Sequence, residues 1–124
     1  MNSRVLRISR AQWQALLDAL EVTRRERKLL TYRSLLERLQ LATPAMLTLT
    51  SALEHLASRD AEAGRPLRSA LVISQSASRL PRSGFFDCAK RLGRFSGDPE
   101  GAAAVSWHAA EVARVFDFDY PEAT

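Results

Sequence analysis

Residues 29–56, LLTYRSLLERLQLATPAMLTLTSALEHL, decide the fold. LLTY combines branched and aromatic residues and reads as a short extended entry. RSLLERLQL then places Leu35, Leu36 and Leu39 on one face of a short helix. Thr43 is a good N-cap and Pro44 suits a first helical position, where its missing N–H costs nothing. A longer helix over 43–63 follows, with Leu49, Ala52, Leu53 and Leu56 as its buried stripe. Gly64 is a helix stop, and Pro66 opposes continuation. Two helices joined by only two or three residues have the rhythm of a helix-turn-helix.

Upstream, Ser9 and Gln12 form a capping box. Trp13, Leu16, Leu17 and Leu20 recur at helical spacing, and the helix runs toward the basic RRERK segment at 24–28. Downstream, LRSALVIS reads as a strand and SQSASRLPRSG as a loop. GFFDCAKRLG is a short helix or turn that buries Phe85, Phe86 and Leu92. Asp98 is expected to cap a final helix at Pro99, lined inward by Val105, Ala109, Val112 and Phe116. FDFDYPEAT is expected to fray. The resulting fold is mainly α with a small β element, a winged-helix-like domain with extra C-terminal helices that close the core. At 124 residues a single domain over 1–124 is expected, with a short acidic tail at 117–124.

Two segments resemble known families. LTYRSLLERLQL is similar to the T-Y-x-x-L-A entry into the helix-turn-helix of many winged-helix proteins, alkylguanine DNA alkyltransferases among them. Those enzymes act through a Pro-Cys-His-Arg site. Here Cys88 stands in Asp87-Cys88-Ala89-Lys90 with no adjacent histidine, so the alkyl-transfer chemistry does not carry over. GRPLRSALVIS with LPRSGFFDCAKRLG resembles a block in small bacterial proteins of unassigned function, a P-L-x-S-A-L-V strand followed by a P-G-x-G-F-F turn and a helix ending in Leu-Gly. Pro66, Leu67, Ser69, Ala70, Leu71, Val72, Pro81, Gly84, Phe85, Phe86, Leu92 and Gly93 match it, and Arg82 replaces a glycine of the turn. The two segments span about half the chain. They imply a fold and a bacterial origin, and they imply no reaction.

Charge is unevenly placed. The net charge is +4. Seven bases (Arg65, Arg68, Arg79, Arg82, Lys90, Arg91, Arg94) stand against Asp87 alone between positions 65 and 94, whereas six acids stand against Arg114 alone from Asp98 onward. Basic segments attract phosphate backbones. The expected function is therefore a non-catalytic nucleic-acid-binding module, using a basic wing and a helix surface. Arg79 and Arg82 would make the wing contacts, supported by Arg24, Arg25, Lys28, Lys90 and Arg91. On helix 43–63, Thr48, Thr50, Ser51, His55, Ser58 and Arg59 are the outward candidates, of which only Arg59 is a usual reader of base edges. The alternative is a protein-interaction or regulatory accessory module that works through the acidic C-terminal segment, with Trp107 and Glu111 as partner-binding residues.

Enzymatic chemistry has little foothold. Cys88 and His108 are the minimum for thiolate catalysis, but a cysteine beside two phenylalanines is more often inert. His55 and His108 lack metal-ligand spacing with the cysteine, and the five glycines form no phosphate loop. No enzyme activity, cofactor or metal is expected. A lone cysteine, the absence of a long apolar run and an N-terminal MNSRVLRISRAQW without a signal-peptide core lead to an expectation of a cytoplasmic protein with no membrane partner.

Overall fold

Leu67 to Leu71 is the hub on which the helices converge, and its backbone has almost no strand to pair with. In the computed structural model, which describes residues 7–121, α1 spans Arg10–Arg25, β1 Leu30–Thr31, α2 Tyr32–Leu39 and α3 Ala45–Glu62. A 3-10 turn at Arg68–Leu71 leads into β2, Val72–Ile73, then α4, Ser83–Arg91, and α5, Ala102–Asp117. The two strands are parallel, with Leu30 opposite Val72 and Thr31 opposite Ile73. The protein is thus mainly helical with a small β element.

Local sequence explains the helix ends. Ser9 and Gln12 form the reciprocal capping box, and Thr31 Oγ1 accepts from Ser34 N to start α2. Gly64 ends α3 at φ +71°, a backbone shape a side chain would strain. The expected cap of α3 is displaced by one residue. Pro44 occupies the N-cap and makes no side-chain bond, and Thr48 Oγ1 turns back to the carbonyls of Ala42 and Pro44. Leu16, Leu20, Leu35, Leu49, Leu56, Leu67, Leu71 and Phe86 form a continuous buried core.

The expected strand over LRSALVIS is corrected to a 3-10 turn that becomes strand only at Val72. A buried backbone must find partners, and here side chains supply them. Glu111 Oε2 accepts from Leu67 N at 2.7 Å, and Asp60 Oδ2 accepts from Arg68 N at 3.0 Å. His108 Nε2 lies 2.8 Å from Ala70 O, and Ser69 Oγ ties the turn to α3 by donating to Leu53 O at 2.7 Å. Asp60 also holds the guanidinium groups of Arg65 and Arg68.

These buried polar groups also displace the expected face of α5. Ala104, His108, Glu111, Val112 and Val115 point inward, while Val105 and Ala109 are exposed. The helix starts at Ala102, not Pro99, because Asp98 Oδ1 accepts from Glu100 N and closes a turn short of the helix. The segment after α5 does not fray within the described residues. Tyr120 is buried, donates from its hydroxyl to Pro66 O at 2.8 Å, and lies under Arg68 at 4.4 Å. Residues 122–124 of the expected acidic tail lie outside the described residues.

His108 yields a pH prediction. A carbonyl acceptor requires Nε2 to carry a proton, so the neutral ring satisfies this bond. Burial holds the His108 pKa below its ordinary value, outweighing the Ala70 carbonyl and Glu111, which favour the charged form. The unfolded chain therefore takes up a proton first as pH falls through about 6.5. Stability should decline from there down to the native pKa, with a slope of at most about 1.4 kcal/mol per pH unit. His108→Gln, whose amide can still donate, should flatten that limb in urea melts between pH 7.5 and 5.5. An unchanged slope would show that another group governs it.

Candidate nucleic-acid interface

The two basic clusters meet different fates. Arg24 is buried, donates from Nε and Nη2 to Glu21 at 2.9 and 2.7 Å, and donates from Nη1 to Phe116 O. Arg25 Nε binds the same Glu21 carboxylate at 2.6 Å. Arg27 pairs with Asp117 at 3.1 Å over the Phe116 ring, and Lys28 stands 3.7 Å from Glu26. Asp119 lies 3.9 Å from Arg24. The Arg24 hydrogen bonds hold the Glu21 carboxyl below its usual range despite burial, with help from Arg25. Arg24 is therefore a structural residue and not a phosphate contact, and Arg25 and Lys28 are matched by acids. Most of this pairing is local, with Glu21 one turn before Arg24 and Arg25 and Glu26 close to Lys28; the end of α5 adds the Phe116 carbonyl and Asp117, and Asp119 follows just beyond it.

The second cluster keeps its charge. Arg79 and Arg82 are exposed in the loop between β2 and α4, and Lys90 is exposed in the last turn of α4. None of the three has an acidic partner within 4.0 Å among the described residues. Arg91 pairs with Glu54 at 3.5 Å, both at the surface side of α4 and α3. Pro81 is buried and anchors the loop, Ser74 N donates to Leu80 O at 2.9 Å across its base, and the chain then enters α4. Arg79 holds φ +53°, where glycine or asparagine is the economical choice. A non-glycine residue there costs roughly 1 kcal/mol, so the loop carries an arginine at a position local stability would not select.

Tyr32 is the positioning residue that sequence reasoning missed. Its hydroxyl accepts from Arg82 N at 3.0 Å, and the Arg82 guanidinium lies 6.0 Å from its ring centre. The ring thus fixes the end of the loop against α2. In LLTY only its aromatic character was visible, because the partner lies fifty residues away.

Along α3 the expected outward row is partly filled. Thr48 is buried and bonded to Ala42 and Pro44, contrary to expectation, because it closes the first turn of the helix. Thr50, Ser51 and Ser58 are half-buried, His55 packs edge-on against Trp13 at 5.6 Å, and Arg59 is exposed. Of the two expected partner residues, Glu111 lies inside the fold and Trp107 is half-buried at its edge. Trp107 is half-buried among Phe85, Phe86 and Phe95, at 5.9, 6.3 and 5.3 Å. Glu111 is 2% exposed, bound by Leu67 N and by Arg114 Nε at 3.1 Å.

Cys88 is buried, and burial pushes its thiol up, reinforced by Glu54 and opposed by Arg91. A protonated thiol is a poor nucleophile. Among the described residues, no group of three or more His, Cys, Asp or Glu is arranged to hold a metal ion, and no helix is long and apolar enough to cross a membrane. No protein-family model, curated protein or solved structure matches the chain.

Proposed function

We propose that this chain is a non-catalytic, winged-helix-like binding module that contacts nucleic-acid phosphates through the 74–82 loop and α4. The carrying observation is that Arg79, Arg82 and Lys90 remain exposed and unmatched by acids among the described residues, while the α1 cluster is neutralised. Phosphate contacts position a protein on nucleic acid without reading sequence. The paucity of base-reading side chains on α3 fits that kind of contact better than specific readout.

Fluorescence anisotropy with a short duplex DNA and a single-stranded RNA, at low and near-physiological salt, tests the proposal. Binding should weaken steeply with salt. Arg79→Ala with Arg82→Ala should reduce the magnitude of the log–log salt slope by about 2, with equal losses on unrelated sequences. An unchanged slope in the double variant would remove the loop from the contact. No binding even at low salt would sink the reading and direct attention to a protein partner.

A further inference from the structure

A cavity of about 440 Å³ opens between α3 and α4, a size typical of small-molecule sites. Its walls are mainly apolar: Met46, Leu47 and Leu53 from α3 and Phe85 from α4, with Tyr32 beside them and the Thr50 hydroxyl committed to Leu47 O. Leu47 is 63% exposed although apolar, so the wall it forms is reached from solvent. The inner polar groups are committed or neutral. Ser69 Oγ donates to Leu53 O, and the Cys88 thiol is kept protonated by burial.

One part of the lining has the opposite character. Arg82, Ser83 and Gly84, all exposed, belong to it, and they are the N-cap and first residues of α4. No side chain caps that helix, and a first turn presents N–H groups with partial positive charge. A Cβ built on Gly84 would meet nothing within 4 Å, so access to this turn is open. Arg82 adds a full charge with no acidic partner among the described residues. The acid at the rim, Glu54, is paired with Arg91 at 3.5 Å.

We infer that the cavity binds a small amphipathic carboxylate, a free organic acid whose apolar chain lies between α3 and α4 and whose carboxylate meets Arg82 and the first turn of α4. Apolar walls supply the affinity and a few polar groups at one end fix orientation, the usual division in such sites. An anion there would also occupy Arg82, a residue assigned above to phosphate contact. The site itself does not depend on that assignment, since neither Arg79 nor Lys90 lines it.

Isothermal titration with octanoate and with 1-octanol, on the full chain and on two variants, tests the inference. Octanoate should bind saturably at one site and at least tenfold more tightly than octanol. Arg82→Gln should weaken octanoate about tenfold and leave octanol within twofold. Leu47→Asp should weaken octanoate more than tenfold, and because Leu47 is exposed, its melting temperature should stay close to that of the parent. Absence of saturable octanoate binding, or affinity within twofold of the parent in both variants, would overturn the inference. Equal binding of octanol and octanoate would overturn its carboxylate component. Loss of nucleic-acid binding in Arg79→Ala bears only on the phosphate reading, so the two can fail separately.

Discussion

Asp60→Ala is expected to destabilise the protein by about 3–5 kcal/mol, the range for breaking a buried ion pair from one side. Asp60 is 0% exposed, and both of its oxygens are in use. Oδ1 accepts from Arg65 Nε at 3.1 Å and Arg68 Nη2 at 2.8 Å, and Oδ2 accepts from Arg68 N at 3.0 Å and Arg68 Nε at 3.2 Å. Removing the carboxylate takes from two buried guanidinium groups a countercharge they share, and from the Arg68 N–H its acceptor. Each carries a desolvation penalty that water no longer offsets. The same loss should loosen the segment that follows α5, because the Arg68 guanidinium lies over the Tyr120 ring. Urea unfolding of the parent, Asp60→Ala and Asp60→Asn checks this. Asparagine retains an acceptor but not the charge and should fall between the other two. A cost below about 1 kcal/mol for Asp60→Ala would mean that the arginines find other partners.

Phe86→Ala is expected to cost about 3–5 kcal/mol, as for other buried aromatic truncations. Phe86 is 1% exposed. Its ring meets Phe85 at 5.4 Å, Phe95 at 5.6 Å, Trp107 at 6.3 Å and His108 at 6.4 Å. It therefore joins α4 to α5 and to the chain between them. Truncation removes both apolar burial and the edge-on ring contacts, which add roughly 0.5–1.5 kcal/mol per pair. The cavity left behind cannot fully collapse between two helices held at both ends. Chemical denaturation followed by tryptophan fluorescence reads this directly, since Trp107 belongs to the cluster. Phe86→Leu should lose less than Phe86→Ala. Equal stability of Phe86→Ala and the parent would contradict the role given to this ring.

The helices were legible in the sequence because their stripes are made of leucine at helical spacing. Leu16, Leu17 and Leu20 in α1, and Leu49, Ala52, Leu53 and Leu56 in α3, are all buried as their spacing requires. Reading failed where polar side chains were buried. His108 and Glu111 sit on the inner face of α5, so a pattern built on apolar residues turned that helix by a fraction of a turn. The same two residues, with Asp60, satisfy the backbone of 67–70, which is why an apolar run that resembled a strand became a 3-10 turn. Such pairing is invisible locally: Glu111 and Leu67 are forty-four residues apart.

The candidate surface divides along the same line. Arg79, Arg82 and Lys90 lie where local signals set them, in a loop rich in small polar residues and in the last turn of a short helix. Arg24 was legible as a base at a helix end, but not as a donor to the Phe116 carbonyl. That contact depends on the end of α5 reaching α1, whereas Glu21, the ionic partner of Arg24, stands one turn earlier on the same helix. A basic cluster in sequence therefore keeps its charge only where neither its own helix nor a segment folded against it supplies acids. For the α1 cluster Glu21 and Glu26 supply them locally and Asp117 and Asp119 from across the fold.

Amide chemical-shift mapping tests whether nucleic acid meets the 74–82 loop and α4, as proposed. A ¹⁵N-labelled sample would be titrated with a short duplex DNA at low salt, then returned to higher salt. Shifts should concentrate at Arg79, Arg82, the first turn of α4 and Lys90 and reverse with salt, with the residues of the Glu21–Arg24–Arg25 cluster unmoved. Shifts centred on the end of α1, or none at any salt concentration, would contradict the proposal.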